Sequence, residues 1–224
     1  MRVALFGGSF DPPHRGHVAL ARLARQRLTL DRVLVAPVGV QPLKSDATPA
    51  GFEDRVAMTR LAFCGEAGVE ISLADAPRVD ERSNYTLDTL AMVRQGLRPD
   101  DVLFCILGAD SLLTIRNWHR AADLVMFCDF IVGARPGFDL SHAEAALPAG
   151  ISARPLTTDL IHTQVLELKD QTGRSSRLYL LLDLAEDVSA TEIRSALRGE
   201  VDAISVLNPM VAEYIRVHHL YAHL

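Results

Sequence analysis

A segment near the start of the chain constrains its fold most: residues 7–17 are Gly-Gly-Ser-Phe-Asp-Pro-Pro-His-Arg-Gly-His. The apolar run Arg2–Phe6 before it predicts a strand, and the apolar spacing after it predicts a helix over Arg15–Leu28. Glycines let the backbone approach a ligand closely, and the first turn of a helix offers unpaired N–H groups at a positive dipole end. A strand that ends in glycines and leads into a helix therefore predicts a phosphate site.

Two histidines, His14 and His17, stand three positions apart where this helix begins. Three residues make about one helical turn, so both imidazoles can face one ligand. Nucleotidyl transfer needs hydrogen-bond donors and cations around a phosphoryl group more than covalent chemistry, and imidazole supplies either. A surface loop with two unrelated histidines is the plainer alternative, which the position after the first strand disfavours. The segment has the spacing of neither a P-loop nor a G-x-G-x-x-G turn.

Apolar segments typical of strands alternate with helical patterns along the chain. Strands are expected at Arg2–Phe6, Arg32–Pro37, Val69–Leu73, Asp101–Leu107 and Leu124–Gly133, and helices at Arg15–Leu28, Phe52–Phe63 and Thr86–Gln95. Because these strands are apolar almost throughout, we expect both faces of their sheet to be covered. The pattern predicts an α/β fold, namely a Rossmann-like, doubly wound, mainly parallel sheet with helices on both faces and a C-terminal helical element.

The last part of the chain has a weaker pattern. Strands are expected at Thr163–Lys169 and Arg177–Asp183, and helices at Ala190–Leu197 and Pro209–His218. The sequence contains no internal repeat or linker, which predicts one domain over residues 1–224, with the C-terminal helical element at 185–224.

The predicted strands also indicate where a ligand would lie. In open parallel sheets, ligands bind beyond the carboxyl ends of the strands. Three strands are expected to end near Gly7, Pro37 and Gly108, and unusual residues follow each of them. This predicts one site built from several loops.

Composition excludes some classes of function. The 224 residues are 49% apolar, enough for a core, and the net charge of -5 with a pI near 5.9 disfavours a general binder of nucleic acid or of membrane surfaces. Three cysteines without a CxxC pair indicate no zinc site. The chain enters its first strand without a signal peptide, and no apolar run approaches the ~18 residues of a membrane span. We therefore expect a cytoplasmic protein.

A second motif, Ser-Ala-Thr-Glu-Ile-Arg at 189–194, opens a predicted helix. Ser189 with Glu192 three positions later makes a capping box, which explains both residues without a ligand. The capping box does not explain Arg194, whose guanidinium could reach a bound polyphosphate. Both interpretations stay open on the residues alone.

Together, Gly-Gly-Ser-Phe-Asp-Pro-Pro-His-x-Gly-His and Ser-x-Thr-x-Ile-Arg resemble the nucleotidyltransferase superfamily with an HxGH signature, and within it the bacterial nicotinate-nucleotide adenylyltransferases. Further matches are Asn84–Leu90, Leu107–Leu112 with Trp118, and Arg135-Pro136-Gly137, so the resemblance covers nearly the whole chain. The chain departs from the family at 41–44, where Gln-Pro-Leu-Lys replaces the usual Pro-Pro-His-Lys. It is also longer than the family pattern at Leu156–Ser176, where we expect an extended hairpin.

The resemblance implies a reaction of NAD biosynthesis. Nicotinate mononucleotide and ATP would give nicotinate adenine dinucleotide and pyrophosphate by direct in-line attack, without a covalent intermediate. Mg²⁺ would arrive with ATP, bound by phosphate oxygens and water rather than by metal ligands of the protein. Nucleic acid and membrane are not expected partners, and the sequence allows a homo-oligomer.

The resemblance also implies roles for particular residues. His17 would contact the α-phosphate and His14 the triphosphate, while Arg194 would hold the departing pyrophosphate and Lys44 would add charge from its loop. ATP would further contact Gly7, Gly8, Ser9, Phe10, Gly16, Gly108, Asp110, Ser189 and Thr191. Nicotinate mononucleotide would contact Tyr85, Thr86 and Trp118.

Several of these residues have a structural alternative. Asp110 and Thr86 could be helix N-caps, and Trp118 could be a core residue. Asp11 is expected to fix its own turn, and His119 is expected on the surface. Two other functions also remain: a superfamily enzyme acting on another phosphate such as phosphopantetheine, and a nucleotide-binding protein without catalysis.

Overall fold

The strands of the described residues form one sheet. The computed structural model describes residues 1–40, 50–80, 82–134, 138, 140–184, 186, 190–198 and 206–221. The strands are β1 (Arg2–Gly8), β2 (Arg32–Pro37), β3 (Val69–Ile71), β4 (Val102–Gly108), β5 (Asp129–Gly133), β6 (Ser152–Leu156), β7 (Thr163–Lys169) and β8 (Ser175–Leu181). Their order is β3-β2-β1-β4-β5-β8-β7-β6, and β7 runs opposite to the other seven strands.

Helices cover both faces of this sheet, as expected. They are α1 (Arg15–Arg27), α2 (Phe52–Ala62), α3 (Thr86–Gln95), α4 (Ala109–Leu113), α5 (Ala121–Val125), α6 (Leu140–Ala146), α7 (Ala190–Arg198) and α8 (Pro209–Val217). Side chains of α1, α2, α7 and α8 pack into one apolar cluster, and those of α3 to α6 pack into a second cluster on the opposite face. Each central strand supplies alternate side chains to the two clusters, since Leu5 lies in the second cluster and Phe6 in the first. The doubly wound α/β fold is confirmed.

The strand order reverses between β1 and β4. From β1 the chain passes through α1 to β2 on one side, while β4 lies on the other side of β1 and is reached through α3. Because the helices that follow β1 and β4 lie on opposite faces of the sheet, a crevice opens at the carboxyl ends of these two strands, where ligands of such sheets bind. The loop 9–14 and the N-terminus of α4 both begin at this crevice.

Two predictions of secondary structure were wrong in extent. The apolar run Leu124–Gly133 is not one strand, because its start belongs to α5 and the strand begins at Asp129. A continuous apolar run cannot distinguish a short buried helix from a strand. The hairpin turn lies at 170–174, where Asp170 accepts hydrogen bonds from the backbone of Thr172 and Arg174, and β8 therefore starts before Arg177.

Two elements were not predicted, α6 and β6. The strand β6 contains Pro155, which lowers its strand signal, but it lies at the edge of the sheet, where proline is tolerated. None of the helices in the described part of the chain is long and apolar enough to span a bilayer.

Candidate active site

The side chain of Phe10 packs beneath the loop that follows β1. This residue has a φ of 49°, its side chain is fully buried, and its ring lies 5.4 Å from the ring of Phe6 and 4.9 Å from that of His17. A Cβ at Gly8 would lie 3.2 Å from the Phe10 ring, so glycine lets the ring fold under the strand end. The glycine therefore serves the packing of the loop as well as any close approach of a ligand.

The two histidines lie against each other at the start of α1. His14 is the N-cap residue, and its ring centroid lies 3.8 Å from that of His17. The backbone N–H of His14 donates to Nδ1 of His17 at 3.2 Å, so the side chain of His17 caps the first turn. A Cβ at Gly16 would lie 3.1 Å from Nδ1 of His14, which explains why glycine separates the histidines.

The hydrogen bond to Nδ1 fixes the protonation of His17. A nitrogen that accepts an N–H cannot itself carry the proton, so the neutral imidazole holds its proton on Nε2. Enclosure by the rings around it, with a smaller effect of His14, lowers the pKa of His17 well below its ordinary value. His17 keeps partial solvent exposure, so a neutral donor is available at the crevice.

Arg194 reaches the same loop from α7. Its Nη1 donates to the carbonyl oxygen of Asp11 at 2.6 Å, and its Nη2 donates to the hydroxyl of Thr191 at 3.3 Å. The structure thus brings the guanidinium, from 183 positions away, to the segment that carries the histidines. Guanidinium and imidazole groups around one glycine loop can hold a polyphosphate.

Asp11 was expected to fix its own turn, and in the structure it does not. It is fully buried, and its Oδ1 accepts the hydroxyl of Tyr221 at 2.5 Å. Beside it, the buried Arg55 of α2 donates to the carbonyl oxygen of Ser9 at 2.8 Å. This network could not be predicted from the sequence, because Asp11 and Tyr221 lie 210 positions apart and no sequence motif links them.

Glycines leave open space at the ends of both central strands. A Cβ added at Gly7 or at Gly108 would meet no atom within 4 Å. By the alternation of strand side chains, Gly7 faces the side of α3 and Gly108 the side of α1. The N-cap of α4 is Gly108 and not Asp110, which lies exposed as the second helical residue, so the capping alternative for Asp110 is wrong.

On the opposite face, α3 begins next to the turn that carries Trp118. Tyr85 is the N-cap residue, so Thr86 is the first helical residue and not the cap. The ring of Tyr85 stacks on that of His119, with centroids 4.1 Å apart and an interplanar angle of 23°. Trp118 packs partly into the second cluster and donates from Nε1 to the hydroxyl of Thr114 at 3.3 Å, so it is only in part a core residue. His119 is exposed, as expected, but its stacking on Tyr85 was not foreseen.

Some expected site residues lie outside the described part of the chain. These are Lys44, Ser189 and the segment 135–137. Across the described ranges, no group of three or more His, Cys, Asp or Glu side chains could hold a metal ion.

Comparison with known proteins defines the class. The cytidylyltransferase-like family model matches residues 5–196, a range that includes both histidines and Arg194. The chain therefore belongs to the cytidylyltransferase-like family.

Full-length relatives narrow the class further. A protein of Laribacter hongkongensis is 39% identical over 98% of this chain and 94% of its own length, and one of Gloeobacter violaceus is 35% identical over 98% and 96%. Each is named a probable nicotinate-nucleotide adenylyltransferase. At this identity and coverage the chain is placed among the nicotinate-nucleotide adenylyltransferases, which are nucleotidyltransferases, and the family expected from the sequence is confirmed.

Solved structures share the fold. The nicotinic acid mononucleotide adenylyltransferase of Plasmodium falciparum complexed with NaAD matches with a TM-score of 0.70 at 17% identity, over 98% of this chain and 97% of that one. The same enzyme complexed with APC matches with a TM-score of 0.66 at 18% identity, over 98% and 96%.

Proposed function

We propose that this chain transfers the adenylyl group of ATP to nicotinate mononucleotide, giving nicotinate adenine dinucleotide and pyrophosphate for NAD biosynthesis. The observation that carries this proposal is the meeting of His14, His17 and Arg194 around one glycine loop at the reversal of strand order. The relatives' names and the NaAD held by the Plasmodium structure support the choice of substrates.

The chemistry needs no nucleophile from the protein. A phosphate oxygen of the mononucleotide attacks the α-phosphorus of ATP in line, and the bond from that phosphorus to the bridging oxygen breaks to release pyrophosphate. The protein aligns the two substrates and stabilises negative charge. The Nε2–H of His17 donates to an α-phosphate oxygen, and since the ring is neutral it acts as a hydrogen-bond donor and not as a cation.

The triphosphate lies over the loop between β1 and α1. Backbone groups of residues 7–10 and Gly16 line it, and His14 contacts it at the helix N-terminus. Arg194, with Thr191 and Ser189, holds the β- and γ-phosphates, and Lys44 adds charge from its loop. Gly108 and Asp110 at the end of β4 bind the nucleoside part of ATP, where Gly108 leaves open space.

The mononucleotide lies on the side of α3. Backbone N–H groups of Tyr85 and Thr86 at the helix N-terminus suit the nicotinate carboxylate, and Trp118 presents an aromatic face to the pyridine ring. The space beside Gly7 opens toward this face, and an acceptor there would lie next to the loop that holds ATP.

Magnesium, compartment and assembly belong to the same proposal. We propose that Mg²⁺ arrives with ATP, bound by the phosphate oxygens of ATP and by water. The free thiol of the exposed Cys64 fits the reducing cytoplasm. We further propose that residues 1–224 act as one domain, with 185–224 as a C-terminal helical element, and that a homo-oligomer is compatible with this function.

A substrate panel tests the function. Purified protein is given ATP and Mg²⁺ with nicotinate mononucleotide, its amide, or phosphopantetheine, and pyrophosphate release is measured. We expect release with nicotinate mononucleotide well above release with phosphopantetheine. Release with phosphopantetheine alone would identify a different superfamily enzyme, and ATP binding without any product would identify a binding protein.

A further inference from the structure

Three segments remote in sequence converge on the loop Ser9–Asp11. Arg55 of α2 donates from Nη1 to the carbonyl oxygen of Ser9 at 2.8 Å, and Arg194 of α7 donates from Nη1 to that of Asp11 at 2.6 Å. From beyond α8, Tyr221 donates its hydroxyl to Oδ1 of Asp11 at 2.5 Å. The loop that follows β1 is therefore held from outside at both of its ends.

The network is built in the interior. Asp11 is 0%, Arg55 2% and Tyr221 5% exposed. A buried carboxylate is costly unless hydrogen bonds and opposite charges compensate it, and a hydroxyl donating to a carboxylate makes a strong, charge-assisted bond. Burial raises the pKa of Asp11, and the Tyr221 hydroxyl, Arg194 and Arg55 oppose that rise.

The loop needs this support because its backbone is strained. Phe10 has a φ of 49°, in the left-handed region that a phenylalanine rarely adopts. Ring contacts with Phe6 and His17 hold the side chain of Phe10. The arginine bonds to the carbonyl oxygens of Ser9 and Asp11 hold the backbone on either side of it, and Tyr221 holds the side chain of Asp11. A loosened loop would misplace its N–H groups and the carbonyl oxygen on which Arg194 docks.

We propose that Tyr221 is a positioning residue for ATP, because its hydroxyl holds Asp11 and thereby fixes the phosphate-binding loop and the guanidinium of Arg194. The inference deepens the proposed function and rests on it. Tyr221 acts through Asp11, so it affects the binding of ATP and not that of the acceptor.

The test compares two tyrosine variants of the full chain. Tyr221→Phe removes the hydroxyl and keeps the ring. Tyr214→Phe is the matched control, since the hydroxyl of Tyr214 donates to Asp54 of α2 at 2.9 Å and not to Asp11. We expect Tyr221→Phe to raise the KM for ATP and the Kd of a non-hydrolysable ATP analogue about tenfold, the loss of one charge-assisted bond. The KM for nicotinate mononucleotide should stay within about twofold, and Tyr214→Phe should change none of these constants.

A second variant tests the same contact from the side of Asp11, and its effect on ATP binding can be measured without Tyr221→Phe. Asp11→Asn keeps the shape of the side chain and removes its charge. We expect Asp11→Asn to weaken the binding of ATP. Adding Tyr221→Phe to it should weaken ATP binding only about threefold further, because the effects of substituting two residues in contact are not additive. Equal effects of Tyr221→Phe and Tyr214→Phe on ATP binding, or full additivity with Asp11→Asn, would overturn the proposal.

A pH profile separates positioning from plain stability. The titratable and charged groups facing Asp11 are Tyr221, Arg194 and Arg55, and the backbone of Ala50 also lowers its pKa. Losing the hydroxyl should raise the pKa of Asp11 further, so the acid limb of kcat/KM for ATP should move to higher pH in Tyr221→Phe and not in Tyr214→Phe. An unmoved limb would contradict the proposal. If wild-type protein binds the analogue but makes no product, the proposed function fails while the binding comparison still decides the role of Tyr221; absence of analogue binding would overturn both.

Discussion

His17 shows how one side chain serves structure and chemistry together. Its Nδ1 accepts the backbone N–H of His14 and so caps α1, which leaves Nε2–H as the donor of the neutral ring. An asparagine at 17 can keep the capping bond, because its side-chain oxygen lies near the place of Nδ1, but it has no group at the place of Nε2.

We expect His17→Asn to lower kcat at least 100-fold, the usual loss when a preorganised donor to a developing charge is removed. Affinity for a non-hydrolysable ATP analogue should change far less, because other groups hold the triphosphate. Single-turnover rates and calorimetric titration measure the two quantities. A kcat within tenfold of wild type would show that Nε2 does not contact the reacting phosphate.

At the scale of elements, the stack of Tyr85 on His119 joins α3 to the Trp118 turn, on the side where we propose that nicotinate mononucleotide binds. Aromatic pairs contribute about 0.5–1.5 kcal/mol beyond the area they bury. Two other contacts hold the start of α3 to the segment before it. Asn84 donates to the carbonyl oxygen of Ala76, and Thr89 donates to the buried Asp75 at 2.7 Å. The stack therefore aligns the turn against the start of α3.

We expect His119→Ala to raise the KM for nicotinate mononucleotide about threefold to tenfold, the equivalent of one aromatic pair. The KM for ATP should not change. His218→Ala is a matched control, because His218 stacks on Tyr214 with nearly the same geometry, 4.0 Å and 22°. Steady-state kinetics with each substrate varied in turn decide the question, and equal constants for both variants would contradict a role of the stack.

Helices and strands were predictable where the apolar periodicity agreed with the residues that start or end an element. The start of α1 and the bounds of α3 followed from local residues, because a capping position and helical spacing coincide there. The boundary between α5 and β5 could not be found, since an apolar run suits either state and tertiary packing decides. The Tyr85–His119 stack and the bonds of Asp11 were equally out of reach, because they depend on how distant segments meet.

At the scale of the whole molecule, a neutral enclosed histidine makes stability depend on pH. The pKa of His17 is lowered on folding, so its neutral form contributes stability that is fully present above the unfolded pKa of about 6.5. Below that pH His17 is protonated in the unfolded chain but stays neutral in the folded chain. This stability is therefore lost as the pH falls toward the lowered pKa.

We expect the free energy of unfolding of wild type to fall by up to about 1.4 kcal/mol per pH unit below pH ~6.5 from this group alone. His17→Asn should lose that slope. Urea unfolding of both proteins at pH values from about 7.5 to 5.5 gives the difference, and parallel curves for the two proteins would show that His17 titrates normally in the folded state.

The bond between Asp11 and Tyr221 has a consequence for synthesis of the chain. A ribosome adds about 5–20 residues per second, so the 210 positions that separate the two residues take roughly 10–40 s to make. During that time the glycine loop exists without the tyrosine that locks it. On the proposed role of Tyr221, a nascent or prematurely released chain binds ATP weakly until the segment after α8 has docked.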